Sequence, residues 1–169
     1  MPSANTHTVS AAPGAASASQ RPTLKPGLWR VEDGVFDGLV ESGKAFICID
    51  AATESMINRG PAEFVGEKCN TSEGDKEQVY LGRTVCELGD RTVVTRVRID
   101  DGQIYFRDVI TQAPGAKDDS GKKVSDYAEW TAACSADQKP GQAFAQAYGQ
   151  TAMKPVDLPE RLKPAVAAK

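Results

Sequence analysis

The sequence predicts a single, mainly β domain: an antiparallel barrel or sandwich built around a meander, with one short helix and two disulfides. Three observations carry this expectation. Short stretches alternate apolar and polar residues between tight Gly- and Asp-containing turns. Helical periodicity is nearly absent. Four cysteines, Cys48, Cys69, Cys86 and Cys134, stand too far apart for a zinc knuckle and suit two disulfides.

The chain has 169 residues, the length of one domain, and its 40% hydrophobic share supplies a core. Residues 1–23 are rich in Ala, Ser and Pro and read as a disordered N-terminal arm. They lack the basic start and apolar core of a signal peptide, and resemble the stretch that follows a removed one. Residues 24–136 form the β domain. Leu28–Glu32 alternates, and Ala45–Ile49 reads as a largely buried strand. Ala52–Asn58 reads as a short helix that Gly60 and Pro61 end. Strands follow over 79–88, 91–100 and 103–111, with a last one over about 124–134. Residues 137–169 read as a Pro/Ala-rich C-terminal arm. Within it, Gln142–Gln150 is compatible with a short helix that pairs Phe144 with Tyr148, and Gly149, Pro155, Pro159 and Pro164 prevent a long one.

Gly89-Asp90 and Asp101-Gly102 read as two-residue hairpin loops, because Gly and Asp tolerate positive φ. Val93 is then opposite both Cys86 and Ile110, Val97 opposite Phe106, and Ile99 opposite Ile104, all on one apolar face. The same register places Arg83, Arg96 and Arg107 in one row on the other face. Arg98 and Tyr105 form the next row, beside Leu81. Like charges directly across a sheet repel, so this row needs a counter-charge. It is either a site for a carboxylate, a phosphate or an acidic partner, or a solvated face neutralised by neighbours. Glu129 has the outward parity for the second role, together with Tyr127.

The remaining chemistry is sparse. His7, the one histidine, lies in the N-terminal arm, so histidine-dependent triads and zinc sites lose their usual residue. The acid pairs Asp100–Asp101, Asp118–Asp119 and Asp37–Glu41 keep a carboxylate-dependent hydrolase as a minor alternative. Asp118-Asp119-Ser120-Gly121 only partly matches a calcium loop. Asn70-Thr71-Ser72 fits the glycosylation pattern but reads more simply as loop. Trp29 and Trp130 are core residues or, with Phe46 and Phe106, line an apolar cavity. No catalytic residue, metal site or cofactor is expected. A net charge of -3 with scattered Lys and Arg argues against nucleic acid, and no apolar run of about 18 residues predicts a transmembrane helix.

One ordered set of residues goes further. Lys25-Pro26-Gly27-Leu28-Trp29 opens the domain, and Cys48-Ile49-Asp50 precedes a short Ala/Glu segment. Cys69, Cys86 and Cys134 follow in turn. Over residues 24–136 this resembles the DUF3617 family of bacterial exported proteins, which has no assigned activity. The resemblance implies a periplasmic or secreted, disulfide-bonded β domain and offers no catalytic residues to transfer. Of the three pairings open to four cysteines, we expect Cys69–Cys86, closing a local loop, and Cys48–Cys134, tying an early strand to the last. The function expected is binding by a monomer, of an envelope protein or a small ligand. Alternatives are a lipocalin-like carrier of an apolar ligand and a periplasmic inhibitor that presents the loop 112–123 to an enzyme.

Overall fold

The computed structural model describes residues 21–59 and 68–163. His7, Gly60, Pro61 and Pro164 lie outside them. The described residues form nine strands: β1 (Gly27–Glu32), β2 (Lys44–Ile49), β3 (Lys68–Lys76), β4 (Val79–Glu87), β5 (Thr92–Asp100), β6 (Ile104–Gln112), β7 (Lys122–Ala132), β8 (Ala143–Gln146) and β9 (Lys154–Val156). They join in one antiparallel sheet, in the order β3-β4-β5-β6-β7-β1-β2-β8-β9. Neither edge strand pairs with the other, so the sheet is open and does not close into a barrel. Among the described residues there is no α-helix. Three short 3-10 turns stand in its place: η1 (Gly34–Phe36), η2 (Glu54–Met56) and η3 (Glu160–Leu162). The helix expected over 52–58 is only η2, whose job is to place fully buried Met56 and Ile57 on the sheet.

One face of the sheet carries the core. Trp29, Ile47, Ile99, Tyr105 and Ala128 are fully buried there, beneath Leu24, Phe36, Leu39, Met56, Ile57 and Leu162 from the connecting segments. Each large side chain buried this way stabilises the fold by about 1.5–3 kcal/mol. A smaller cluster on the opposite, outer face joins Leu28, Phe46 and Phe144 to Cys48 and Cys134.

Both expected disulfides are present. Cys48–Cys134 joins residues 86 apart in sequence, and Cys69–Cys86 joins residues 17 apart that are direct partners across β3 and β4. Because Cys86 shares the core-side parity of Tyr80 while Cys48 belongs to the outer cluster, the two bonds staple opposite faces. Loop entropy assigns them about 3 and about 4.5 kcal/mol.

The hairpin β4–β5 keeps the predicted register, with Cys86 opposite Val93 and Arg83 opposite Arg96. The hairpin β5–β6 does not. Asp101 and Gly102 take positive φ, and the Gln103 N–H donates to the Asp100 carbonyl at 2.8 Å, as an Asp-Gly turn requires. Gln103, however, leaves the ladder as a bulge. Its carbonyl accepts the Trp130 N–H at 2.8 Å, and Asp100 pairs with Ile104. Every β6 side chain is therefore displaced by one position and turns to the other face. Val97 stands opposite Arg107, Ile99 opposite Tyr105, and Arg98 opposite Phe106. Arg107 and Tyr105 leave the arginine face, and Phe106 and Asp108 join it.

Two further differences concern the sheet edges. The stretch compatible with a helix over 142–150 is instead β8, followed by β9. β2 is buried on both faces and needs a neighbour there; Ala143 supplies the core face, and Phe144 covers Phe46 on the outer one. At the other edge, β3 (KCNTSEGDK) is exposed throughout and has no apolar alternation to announce it. Nine pairs with β4 and the Cys69–Cys86 bond hold it.

Candidate functional site

On the outer face, β3 to β6 line an open groove of about 440 Å³. Two cross-strand rows build it. The first runs Ser72–Arg83–Arg96–Asp108, and the second Gly74–Leu81–Arg98–Phe106. The rows lie about 6.7 Å apart, two residues along each strand. Leu81 is 49% exposed and Phe106 36%, so the floor is apolar and open to water. The small Ser72 and Gly74 leave that floor uncovered on the β3 side.

Arg83 and Arg96 face each other directly, and the repulsion is answered from outside the sheet. Asp119, on the segment joining β6 to β7, reaches back between them. Its Oδ1 lies 2.8 Å from Arg83 Nη2, and its Oδ2 lies 3.4 Å from Arg83 Nε and 3.8 Å from Arg96 Nε. This residue holds a left-handed φ of 50°. The segment is pinned nearby, where Gly115 N–H donates to Thr92 Oγ1 at 3.1 Å and Gln112 Nε2 to the Ala116 carbonyl at 2.8 Å. Arg98 pairs with Asp100 at 3.1 Å, and Asp108 accepts from Ser125 Oγ at 2.5 Å. Two guanidiniums bracketing one carboxylate form an anion seat. Here a side chain of the protein itself fills it.

The expected arginine face is thus preserved in part. Arg83, Arg96 and Arg98 share the groove; Arg107 and Tyr105 do not. Arg107 lies in the core face and pairs with Asp126 at 2.8 Å, both side chains nearly fully buried. Asp126 also accepts the Val35 N–H at 2.6 Å. The Tyr105 hydroxyl donates to the Arg59 carbonyl at 2.9 Å, and burial pushes its pKa up. Glu129 and Tyr127 face outward as anticipated, but Glu129 serves Arg30, 3.3 Å away, and not the row. The Tyr127 hydroxyl donates to Glu129 at 2.7 Å and holds that carboxyl below its ordinary value.

The four aromatic residues of the expected cavity do not gather. Trp29 is in the core, Phe46 in the outer cluster and Phe106 in the groove. Trp130 lies beneath Lys25, whose Nζ sits 3.6 Å from the ring centroid. The opening motif explains that placement. Trp130 Nε1 donates to the Pro26 carbonyl at 3.1 Å and Trp29 Nε1 to the Lys25 carbonyl at 2.9 Å. Gly27, at φ 146°, would place a Cβ 2.3 Å from Trp130 Nε1 and 2.5 Å from the Ala132 carbonyl oxygen. Three of the paired acids are tied to neighbours: Asp100 to Arg98, Asp101 to Gln103, and Asp119 to Arg83.

A second cavity, of about 500 Å³, is bounded by Arg30, Glu32, Asp37, Lys44 and Tyr148. Arg30 there is already paired with Glu32 and Glu129. Its lining is mainly polar, whereas that of the groove is mainly apolar. No helix among the described residues is long and apolar enough to cross a membrane. Comparison with family models, with curated proteins and with solved structures finds no match to this chain.

Proposed function

We propose that this chain is an exported, non-enzymatic β domain, of the DUF3617 kind, that binds a protein partner or small ligand of the cell envelope through its outer groove. The observation that carries this reading is the groove itself: three arginines over the exposed Leu81 and Phe106 in a volume of about 440 Å³. Clefts for small ligands occupy roughly 300–1,000 Å³, with an apolar lining and a few polar groups that fix orientation. Two disulfides suit a periplasmic or secreted location, where thiols are oxidised. An apolar carrier would gather Trp29, Phe46, Phe106 and Trp130 around one cavity; their distribution over both faces favours the groove over an interior site.

Calorimetric titration of the oxidised chain with three probes tests the reading: inorganic phosphate, an oligoglutamate peptide and laurate. At least one is expected to bind, and Arg96→Glu to abolish that binding. Absence of binding by all three, or binding unchanged in Arg96→Glu, overturns it.

A further inference from the structure

We infer that the ligand of the groove is an amphipathic monoanion, an acyl carboxylate or its like, and that Asp119 is a built-in competitor for its head group. This rests on the groove being the binding site, and names what it takes.

Charge sets the first limit. Each of the three groove arginines already has a carboxylate beside it: Asp119 between Arg83 and Arg96, Asp108 across from Arg96, and Asp100 on Arg98. A polyanion would have to face or displace several of these carboxylates at once. A single carboxylate needs only one seat, and the bracket between Arg83 and Arg96 has the geometry of one, since Asp119 sits in it. Of its two contacts, the one to Arg96 is long, at 3.8 Å. That leaves Arg96, nearly half exposed, as the guanidinium most available to an incoming anion.

The floor sets the second limit. The row next to the seat places Leu81 and Phe106 on either side of Arg98, both open to solvent. From β3 to β6 the floor spans three strand spacings, about 14 Å. A bare phosphate would leave it wet. An acyl chain laid across it removes apolar surface from water on both sides, and contact with the Arg98 stem adds to this. Head and tail are therefore recognised by adjacent rows of the same sheet.

The test uses the oxidised full chain and four probes: laurate, acetate, inorganic phosphate and the neutral dodecyl maltoside, each below its micelle-forming concentration. Laurate is expected to bind best, with acetate, phosphate and dodecyl maltoside at least about tenfold weaker. Among shorter acyl carboxylates, affinity should rise roughly two- to fourfold per added methylene. Arg96→Gln should weaken laurate about tenfold. Asp119→Asn should tighten it about three- to fivefold, the scale of a surface ion pair. Leu81→Ser, at a half-exposed position, should weaken it without altering the unfolding midpoint. Added salt should weaken laurate and leave the maltoside unchanged.

Dodecyl maltoside binding as tightly as laurate, or Asp119→Asn binding laurate no better, overturns this inference. If phosphate or oligoglutamate binds in an Arg96-dependent way and laurate does not, the amphipathic ligand is wrong and the groove as binding site survives. If none of the probes binds, both readings fall.

Discussion

Arg96 stands opposite Asp108 across β5 and β6, not opposite Arg107. One residue of displacement separates these arrangements, and it originates at Gln103, whose carbonyl is bound by the Trp130 N–H on β7. The displacement converts a repulsive row of three arginines into two arginines with Asp108 on one side, and Asp119 reaches between them. It also sends Arg107 into the core and brings Phe106 out to floor the groove. The groove is a product of that bulge.

The buried pair that results should be costly to break. Arg107→Ala leaves the Asp126 charge uncompensated in the core face, with the Val35 N–H still donating to it. A loss of about 3–5 kcal/mol is expected by urea unfolding. Replacing both residues by apolar ones of similar volume should cost less than Arg107→Ala alone; an equal or larger loss would mean that the charges themselves stabilise the fold.

Gly27 is expected to be irreplaceable. Its φ and the closeness of Trp130 and the Ala132 carbonyl leave no room for a Cβ. Gly27→Ala should destabilise by about 1–3 kcal/mol from overpacking alone. The change should show in Trp fluorescence as well as in the thermal midpoint, because the Trp130 hydrogen bond to Pro26 is disturbed.

The two disulfides should fail differently. Cys48→Ser with Cys134→Ser removes a tie spanning 86 residues and should lower global stability by about 2–5 kcal/mol. Cys69→Ser with Cys86→Ser releases a strand with no buried side chain. Hydrogen exchange should then quicken across 68–76 while β5, β6 and β7 keep their protection. Uniform acceleration across the sheet would show that β3 is not a separable edge.

Tyr80 gives a test in alkali. Burial, and then its hydrogen bond to Glu73, push the Tyr80 hydroxyl up to about 12. A folded-state pKa raised above the unfolded value of 10 stabilises fully below pH 10, and that stabilisation is lost as pH rises toward 12. Unfolding followed over this window should show a decline that Tyr80→Phe removes. An unchanged decline in Tyr80→Phe would assign it to other groups.

How far the sequence carried the fold depended on which residues bear a signal. The β4–β5 register was legible because Gly89-Asp90 is a standard loop and Cys86 and Val93 have matching apolar parity. The β5–β6 register was not, because nothing in Gln103 announces a bulge; its cause is a hydrogen bond from a strand entering the sheet later in the chain. Arg107 reads as an outward residue until Asp126 is seen beside it. β3 has no apolar residue to alternate, and its turn at Glu77 and Gln78 holds positive φ without a glycine. Of the site, Arg83, Arg96 and Arg98 were found from parity alone. Asp119 was visible only as half of an acidic pair in a loop, and its place between two arginines is a tertiary fact.

The most direct test of the groove is chemical-shift mapping of the oxidised, isotope-labelled chain during titration with laurate. The amides displaced most are expected at Ser72–Gly74, Leu81–Arg83, Arg96–Arg98 and Phe106–Asp108, with Asp119 moving as its carboxylate is displaced. Shifts centred instead on Gly38, Gly43 and Tyr148, or no saturable shifts at all, would contradict it.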